Sequence, residues 1–302
     1  RILMGTVVNL TVIGDDREEA EEAVDATLAR MAELESLLSR YIPESEVSRL
    51  NATGSVDNAS PELLELLELA RRISAMGDGA FDITFASCGG LWSVRERRIP
   101  PDSEIDACLG HVDYRQVALD RQTSAVFVAD PAMRIGIAGL AKGYRVDRAA
   151  EVLSRLGITD YAVDGGGDIR LAAANPQTSW DVMVANPRRP DRPLGTVTLR
   201  SGAVATSGDY QWFFERNGVR YHHILDPSTG RPARRSAAAT VIAPTALDAD
   251  ALATGLFVLG PEKGIALAER LPGIEALIIA PDQSMHVSSG FPPLVGGQRS
   301  SS

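Results

Sequence analysis

From residue 160 to residue 243 the chain repeats strand-like runs separated mainly by turn residues. Asp160-Tyr161-Ala162-Val163 comes first, followed by Asp181–Ala185, Gly195–Leu199, Ala203–Thr206, Arg220–Leu225 and Ala239–Ala243. Parallel neighbours need long crossover connections, usually helical, and strands clustered in this way leave little room for them. The pattern therefore predicts an α+β fold, with mixed and mostly antiparallel sheets flanked by helices, rather than a doubly wound one. The run Gly165-Gly166-Gly167 does not make a dinucleotide fingerprint, because Arg170 stands where the third glycine of that motif belongs. Three adjacent glycines do imply that something approaches the backbone closely.

The helices are expected on either side of that region. Thr6–Ile13 reads as a first strand, and Asp15 or Asp16 caps a long helix with Val24, Leu28, Met31, Leu34 and Leu38 on its apolar face. Ser60 and Pro61 open a second helix, which Gly77 stops. Gly77–Asp82 reads as a loop carrying an exposed-looking Phe81 and two carboxylates, and residues 91–116 show no clean period. Val117–Asp120 and Ala125–Val128 form a small hairpin. Ile135–Tyr144 is a glycine loop entering a helix that Gly157 ends, an arrangement suited to an anion. It is not a P-loop, since Gly143 follows Lys142 where Ser or Thr is required. Further helices run from Ala246 to Leu259 and after Pro261, and Ala276–Ile279 makes a last strand.

Composition narrows the function. With 44% hydrophobic and 23% charged residues the chain has an ordinary globular make-up, and a formal charge of −10 argues against a nucleic-acid surface. An anionic ligand must then be met locally, by a lysine, oriented N–H groups or a metal ion. Cys88 and Cys108 make no metal pattern; they either pair or stay free, which leaves the redox compartment open. Membrane association would require an anchor upstream of Arg1. A domain over residues 1–295 and a disordered tail at 296–302 complete the expected organisation.

Several residues could carry chemistry. In Tyr221–Pro232 a strand meets Asp226-Pro227 and Gly230, a rigid corner with His222 and His223 just before it. Thr245 and Asp248 fit a capping box. Asp250 and Thr254, four apart, share a helix face and offer Mg²⁺-type oxygen ligands, or else serve only their own helix. Lys142 is the local cation for a phosphate, or a surface lysine. Phe81 either stacks on a planar ligand or joins the core, and Asp82 either bonds a ring N–H or caps the segment after it.

Taken in order, these blocks resemble the ApbE-type flavin transferases, which move FMN from FAD onto other proteins. The resemblance runs through Met4-Gly5-Thr6, Arg40-Tyr41, Gly79-Ala80-Phe81-Asp82, Gly139–Tyr144 with Asp147, Gly165–Asp168, Thr206–Tyr210, His223–Gly230 and Asp250–Thr254. It implies a two-lobed single domain of bacterial origin, either cytoplasmic or at the extracytoplasmic face of the inner membrane. It also implies FAD as substrate, a Thr or Ser hydroxyl on an acceptor flavoprotein, and Mg²⁺. Met4, Tyr41, Ala80, Phe81, Asp82, Lys142 and Ile224 would line the FAD site, and Gly139, Asp250 and Thr254 would hold the metal. His223 would be catalytic, as base or as stabiliser of developing charge. Gly136 departs from the pattern, since relatives usually carry an aspartate there that helps hold FAD. The same residues would serve FAD hydrolysis, whereas a flavin-storage module leaves the Asp250/Thr254 pair unexplained.

Overall fold

The computed structural model describes residues 1–3, 5–189 and 191–296; Met4, and the expected tail beyond Gly296, lie outside the described residues. Strands β1 (Ile2–Leu3) and β2 (Thr6–Ile13) pair as a hairpin. Asp16 is the residue that caps α1 (Arg17–Leu38), its carboxylate accepting from the N–H groups of Glu18 and Glu19. The buried stripe of α1 is Ala23, Thr27, Met31, Leu34 and Leu38, with Val24 and Leu28 at its margin. Thr27 fits an apolar face because its hydroxyl donates to the Ala23 carbonyl at 2.7 Å. Next come α2 (Glu46–Thr53), β3 (Ser55–Val56) and α3 (Pro61–Met76), the last capped by Ser60 and ended by Gly77.

A 3-10 turn spans Ile83–Cys88, and the helix α4 (Asp102–Leu109) occupies part of residues 91–116, the segment that showed no period. A Cys88–Cys108 disulfide joins them and closes a loop across a sequence separation of 20, a constraint worth about 3 kcal/mol in chain entropy. β4 (Val117–Asp120) and β5 (Ala125–Val128) form the expected hairpin, to which β3 adds. After α5 (Ala138–Arg155) come β6 (Asp160–Gly165), β7 (Ile169–Ala173), the hairpin of β8 (Trp180–Val184) with β9 (Gly195–Leu199), and β10 (Gly202–Gly208). Two small hairpins follow, β11 (Phe213–Arg216) with β12 (Val219–His222) and β13 (Leu225–Asp226) with β14 (Arg231–Pro232). The chain closes with β15 (Ala238–Ala243), α6 (Ala246–Leu259), α7 (Pro261–Ala268), β16 (Glu275–Ile279) and β17 (Met285–Val287).

Among the described residues, β1-β2-β6-β7-β10-β15-β16-β17 make an eight-stranded sheet in which each of these pairings is antiparallel. Strand alternation sorts two cores. Ala203 and Ala205 of β10 join Ala239, Val241 and Ala243 of β15 in the large core under the helices. Val204 and Ile242 face the other way, against Val182, Val184 and Val197 of the β8–β9 hairpin. Covered on both faces, β15 is apolar almost throughout and buried at all six positions. β7 sits directly after the glycine triplet, and the close neighbour those glycines imply is the chain itself. At Gly166, with φ +71, a Cβ would stand 2.3 Å from Thr6 Oγ1.

Helix α6 is buried on nearly every side, so it lies inside the molecule rather than on it. Its first turn crosses α5 at Gly143, where a Cβ would stand 2.2 Å from the Ala246 carbonyl oxygen and 2.9 Å from Asp250 Cβ. Backbone stands on one side of that contact and cannot rotate away. Gly143→Ala should therefore lower the unfolding free energy by about 3 kcal/mol. Urea titration checks it, and a variant as stable as the wild type would show that the helices can part.

Candidate active site

The N-terminal turns of α5, the middle of α6, the end of α1 and the β11–β12 hairpin enclose a cavity of about 950 Å³. Ile137, Ala138 and Gly139 bring the start of α5 to its wall, so that helix's positive end faces the space. One turn in, the Lys142 ammonium donates to Asp168 Oδ2 at 2.7 Å. Asp168 follows the glycine triplet and is 2% exposed. Asp250, just past the first turn of α6, is also buried; its Oδ2 accepts the Gly143 N–H at 3.1 Å. Thr254 lies one turn further along α6, with its Oγ1 3.2 Å from Ser207 Oγ of β10. A Cβ on Gly139 would be 3.6 Å from that same Oγ1.

Two carboxylates thus share one ammonium. Burial pushes the Asp168 carboxyl well above the usual range, and Asp250 pushes it further; Lys142 opposes both. Burial alone would lower Lys142, but Asp250 and then Asp168 outweigh it and raise the lysine. The negative charge is under-compensated, and the nearby donors are hard oxygens: the Asp250 carboxylate and the Thr254 hydroxyl, with the Gly139 backbone beside the latter. Such a set suits Mg²⁺. Among the described residues no group of three or more His, Cys, Asp and Glu is placed to hold a metal. An ion here would take its remaining ligands from water and phosphate, the usual habit of Mg²⁺.

The opposite wall comes from the stretch around His223, which is not one continuous strand. β12 ends at His222 because that ring turns beneath its own chain. Its Nδ1 accepts the Ile224 N–H at 3.3 Å, its Nε2 lies 2.8 Å from the Ala233 carbonyl, and its edge meets Phe257. His222 is a core residue, 4% exposed, and has no surface role. His223 opens to the cavity, with Nδ1 3.4 Å from the Trp212 carbonyl. A carbonyl only accepts, so Nδ1 carries the proton and Nε2 keeps its lone pair. Burial lowers its pKa; the Trp212 carbonyl opposes this and Lys142 adds to it, so the ring is neutral at pH 7. The corner behind it forms as expected. Asp226 Oδ1 accepts the Ser228 N–H at 2.9 Å, the Gly230 N–H reaches the Asp226 carbonyl at 2.8 Å, and Gly230 has φ +68. Arg231 is spent on Asp102 at 2.6 Å.

Tyr41, Ala80, Phe81, Asp82, Gly136 and Ile224 line the same cavity, so every described residue that the resemblance places in the FAD site, the metal set or the catalytic role lies on it. Phe81 is buried rather than exposed, at 6%; its ring lies where a Cβ on Gly139 would be 3.0 Å away. Asp82 takes the capping role, accepting from Thr84 N–H at 2.7 Å, Thr84 Oγ1 and Tyr114 N–H. Gly136 donates to the Ile83 carbonyl at 2.8 Å, and a Cβ there would come within 2.7 Å of Ala86 Cβ. An aspartate at 136 would collide with the 3-10 turn, so the departure is matched by the local packing. Asp168 and Ser207 fall inside the recurring blocks but have no role there; their partners lie far off in sequence. A more open groove of about 1520 Å³ runs along α3 and α5, but many of its charges satisfy one another: Arg30 with Glu62, Arg121 with Glu68, Arg148 with Glu151.

A profile of the ApbE family matches residues 4–278. The chain belongs to the ApbE family. The FAD:protein FMN transferase of Treponema pallidum is 34% identical, over 96% of this chain and 86% of its own. That of Vibrio cholerae is 32% identical, over 97% and 90%. Among solved structures, the ApbE protein of Thermotoga maritima superposes with a TM-score of 0.86 at 33% identity, covering 96% of both chains. The flavinyl transferase ApbE of Pseudomonas stutzeri gives 0.81 at 32%, covering 95% and 92%. The ApbE-like α+β fold with antiparallel sheets is thus shared over nearly all of the chain.

His222 gives this ApbE-family site a pH signature. Burial, its leading cause, lowers its pKa from 6.5 to about 4, so the unfolded chain binds more protons between those values. Its contribution, about 3 kcal/mol, is whole above pH 6.5 and is lost as pH falls toward 4. Subtracting the stability profile of His222→Gln from that of the wild type should isolate this slope. A flat difference would contradict it.

Proposed function

We propose that this chain is an FAD:protein FMN transferase that uses Mg²⁺ and a Thr or Ser hydroxyl of an acceptor flavoprotein. The observation that carries the reading is one cavity where under-compensated carboxylates, a lysine and a neutral histidine converge, in a chain of this family.

The chemistry derives from the groups present. The acceptor hydroxyl oxygen forms a bond to the FMN phosphorus of FAD as the bond from that phosphorus to the bridging oxygen breaks. AMP leaves with the electron pair. His223 Nε2 takes the hydroxyl proton; its neutrality near pH 7 is what the task requires. Lys142, held by Asp168, sets a fixed positive charge beside the pyrophosphate, and the α5 N-terminus adds its dipole. Asp250, Thr254 and the Gly139 carbonyl would hold Mg²⁺, which when bound neutralises pyrophosphate oxygens. Tyr41 offers a ring surface for a planar part of FAD, and Phe81 adds apolar wall beside Gly139. In-line geometry is then a matter of positioning, the main contribution a protein makes to phosphoryl transfer.

Mass spectrometry of a candidate flavoprotein incubated with this chain, FAD and Mg²⁺ should show an added FMN, abolished when the acceptor hydroxyl is removed. AMP and FMN released without any acceptor would instead mark water as the nucleophile. His223→Ala should bind FAD nearly as the wild type does and lose transfer by at least 100-fold, within the usual range for a general base; unchanged transfer sinks the assignment. Asp250→Ala should lose Mg²⁺ binding by calorimetry together with Mg²⁺-dependent activity. A variant equally active in EDTA would refute the metal site.

A further inference from the structure

The wall that α1 and α5 give this cavity holds a cation with no part in the transfer steps. Arg145 lies three residues after Lys142, on the same side of α5, and lines the cavity. It is 6% exposed, and its Nε–H has no hydrogen-bond partner among the described residues. Leaving a guanidinium donor unmet at that depth is costly, and a buried polar atom of this kind marks a missing ligand or water. Glu35 of α1, on the same wall, supplies the opposing charge; burial lowers the guanidinium's pKa and Glu35 raises it. Arg40 adjoins them at the end of α1, its guanidinium given to the Tyr41 ring and hydroxyl. The wall is thus cationic where an elongated dianion would pass.

We propose that Arg145 is a positioning residue for the adenylyl-side phosphate of FAD, the phosphate that departs in AMP. The assignment rests on the proposed FAD chemistry and deepens it. A guanidinium gives Nε–H and Nη–H together to one phosphate, a directed contact that an ammonium cannot make. Lys142 is tied to Asp168 beside the metal donors, so a group one turn along α5 serves the neighbouring phosphate. Charge grows on the leaving phosphate as its bond breaks, so a donor there also favours departure.

Calorimetric titration of the full chain with FAD, AMP and FMN at fixed Mg²⁺ tests the assignment. Arg145→Gln should weaken FAD and AMP by a common factor of roughly 10 to 100, the range for a charged hydrogen bond, and leave FMN within about twofold. Arg145→Lys keeps the charge without the fork and should fall between. Equal weakening of all three ligands would show a general structural role and overturn the proposal, as would wild-type AMP affinity in Arg145→Gln. If Arg145→Gln does not fold, Arg145→Lys carries the comparison, and wild-type AMP affinity in it overturns the proposal. A wild type that binds FAD and AMP but transfers nothing defeats the transfer reading alone and leaves these affinities decisive.

Discussion

The crossing of α5 and α6 at Gly143 is the contact on which the cavity depends. Asp250 is a buried carboxylate in a largely apolar, buried helix, an expensive place for a charge. It is tolerable there because α5 comes close enough for the Gly143 N–H to reach it at 3.1 Å, and the crossing leaves no space for a Cβ. The same approach brings Lys142, the residue before Gly143, toward Asp168 and Asp250. Packing and electrostatics are therefore one constraint here. A methyl group at 143 would push Asp250 from its donor and part the two helices that carry most of the charged centre.

Size does not identify the site. The groove along α3 and α5 is larger, but its ion pairs leave much of its charge already answered. Paired charges near a surface contribute little and ask for nothing further. In the smaller cavity Asp168 and Asp250 repel one another and Lys142 serves both. Unmet electrostatic demand of this kind costs stability in the free protein, and a cation and a dianionic ligand together would relieve it.

Local signals were legible and long-range ones were not. The bounds of α6, the caps at Ser60 and Thr245 and the Asp226–Gly230 corner all come from chemistry within four or five residues, and they form as expected. The family resemblance carried the site residues because their blocks recur in order, which no single block could have done. Asp168 had no such signal: its partner Lys142 is 26 residues away and its repulsive neighbour Asp250 lies on another element. Phe81 looked exposed because glycines precede it, and elements far off in sequence, the α5 turn at Gly139 and α6 at Gly255, cover it. The break after His222 depends on a ring that bonds the Ala233 carbonyl, eleven residues on. Whether Cys88 and Cys108 pair is likewise a question of distance in space, settled by a Cα separation of 5.3 Å.

That disulfide also bears on His223. The loop it closes carries Trp92, whose Nε1–H donates to the Gly230 carbonyl at 2.8 Å and whose ring stacks on Tyr221 at 6.0 Å. Tyr221 in turn stacks on Phe214 at 5.1 Å across the β11–β12 hairpin. The loop, the hairpin and the Asp226–Gly230 corner therefore brace one another, and His223 sits between them with its ring directed by the Trp212 carbonyl of the same hairpin. A two-stranded hairpin is marginal by itself. Held from one side by a covalently closed loop and from the other by a tight turn, it can present a base to the cavity with a fixed tautomer, which is what a proton transfer to Nε2 needs.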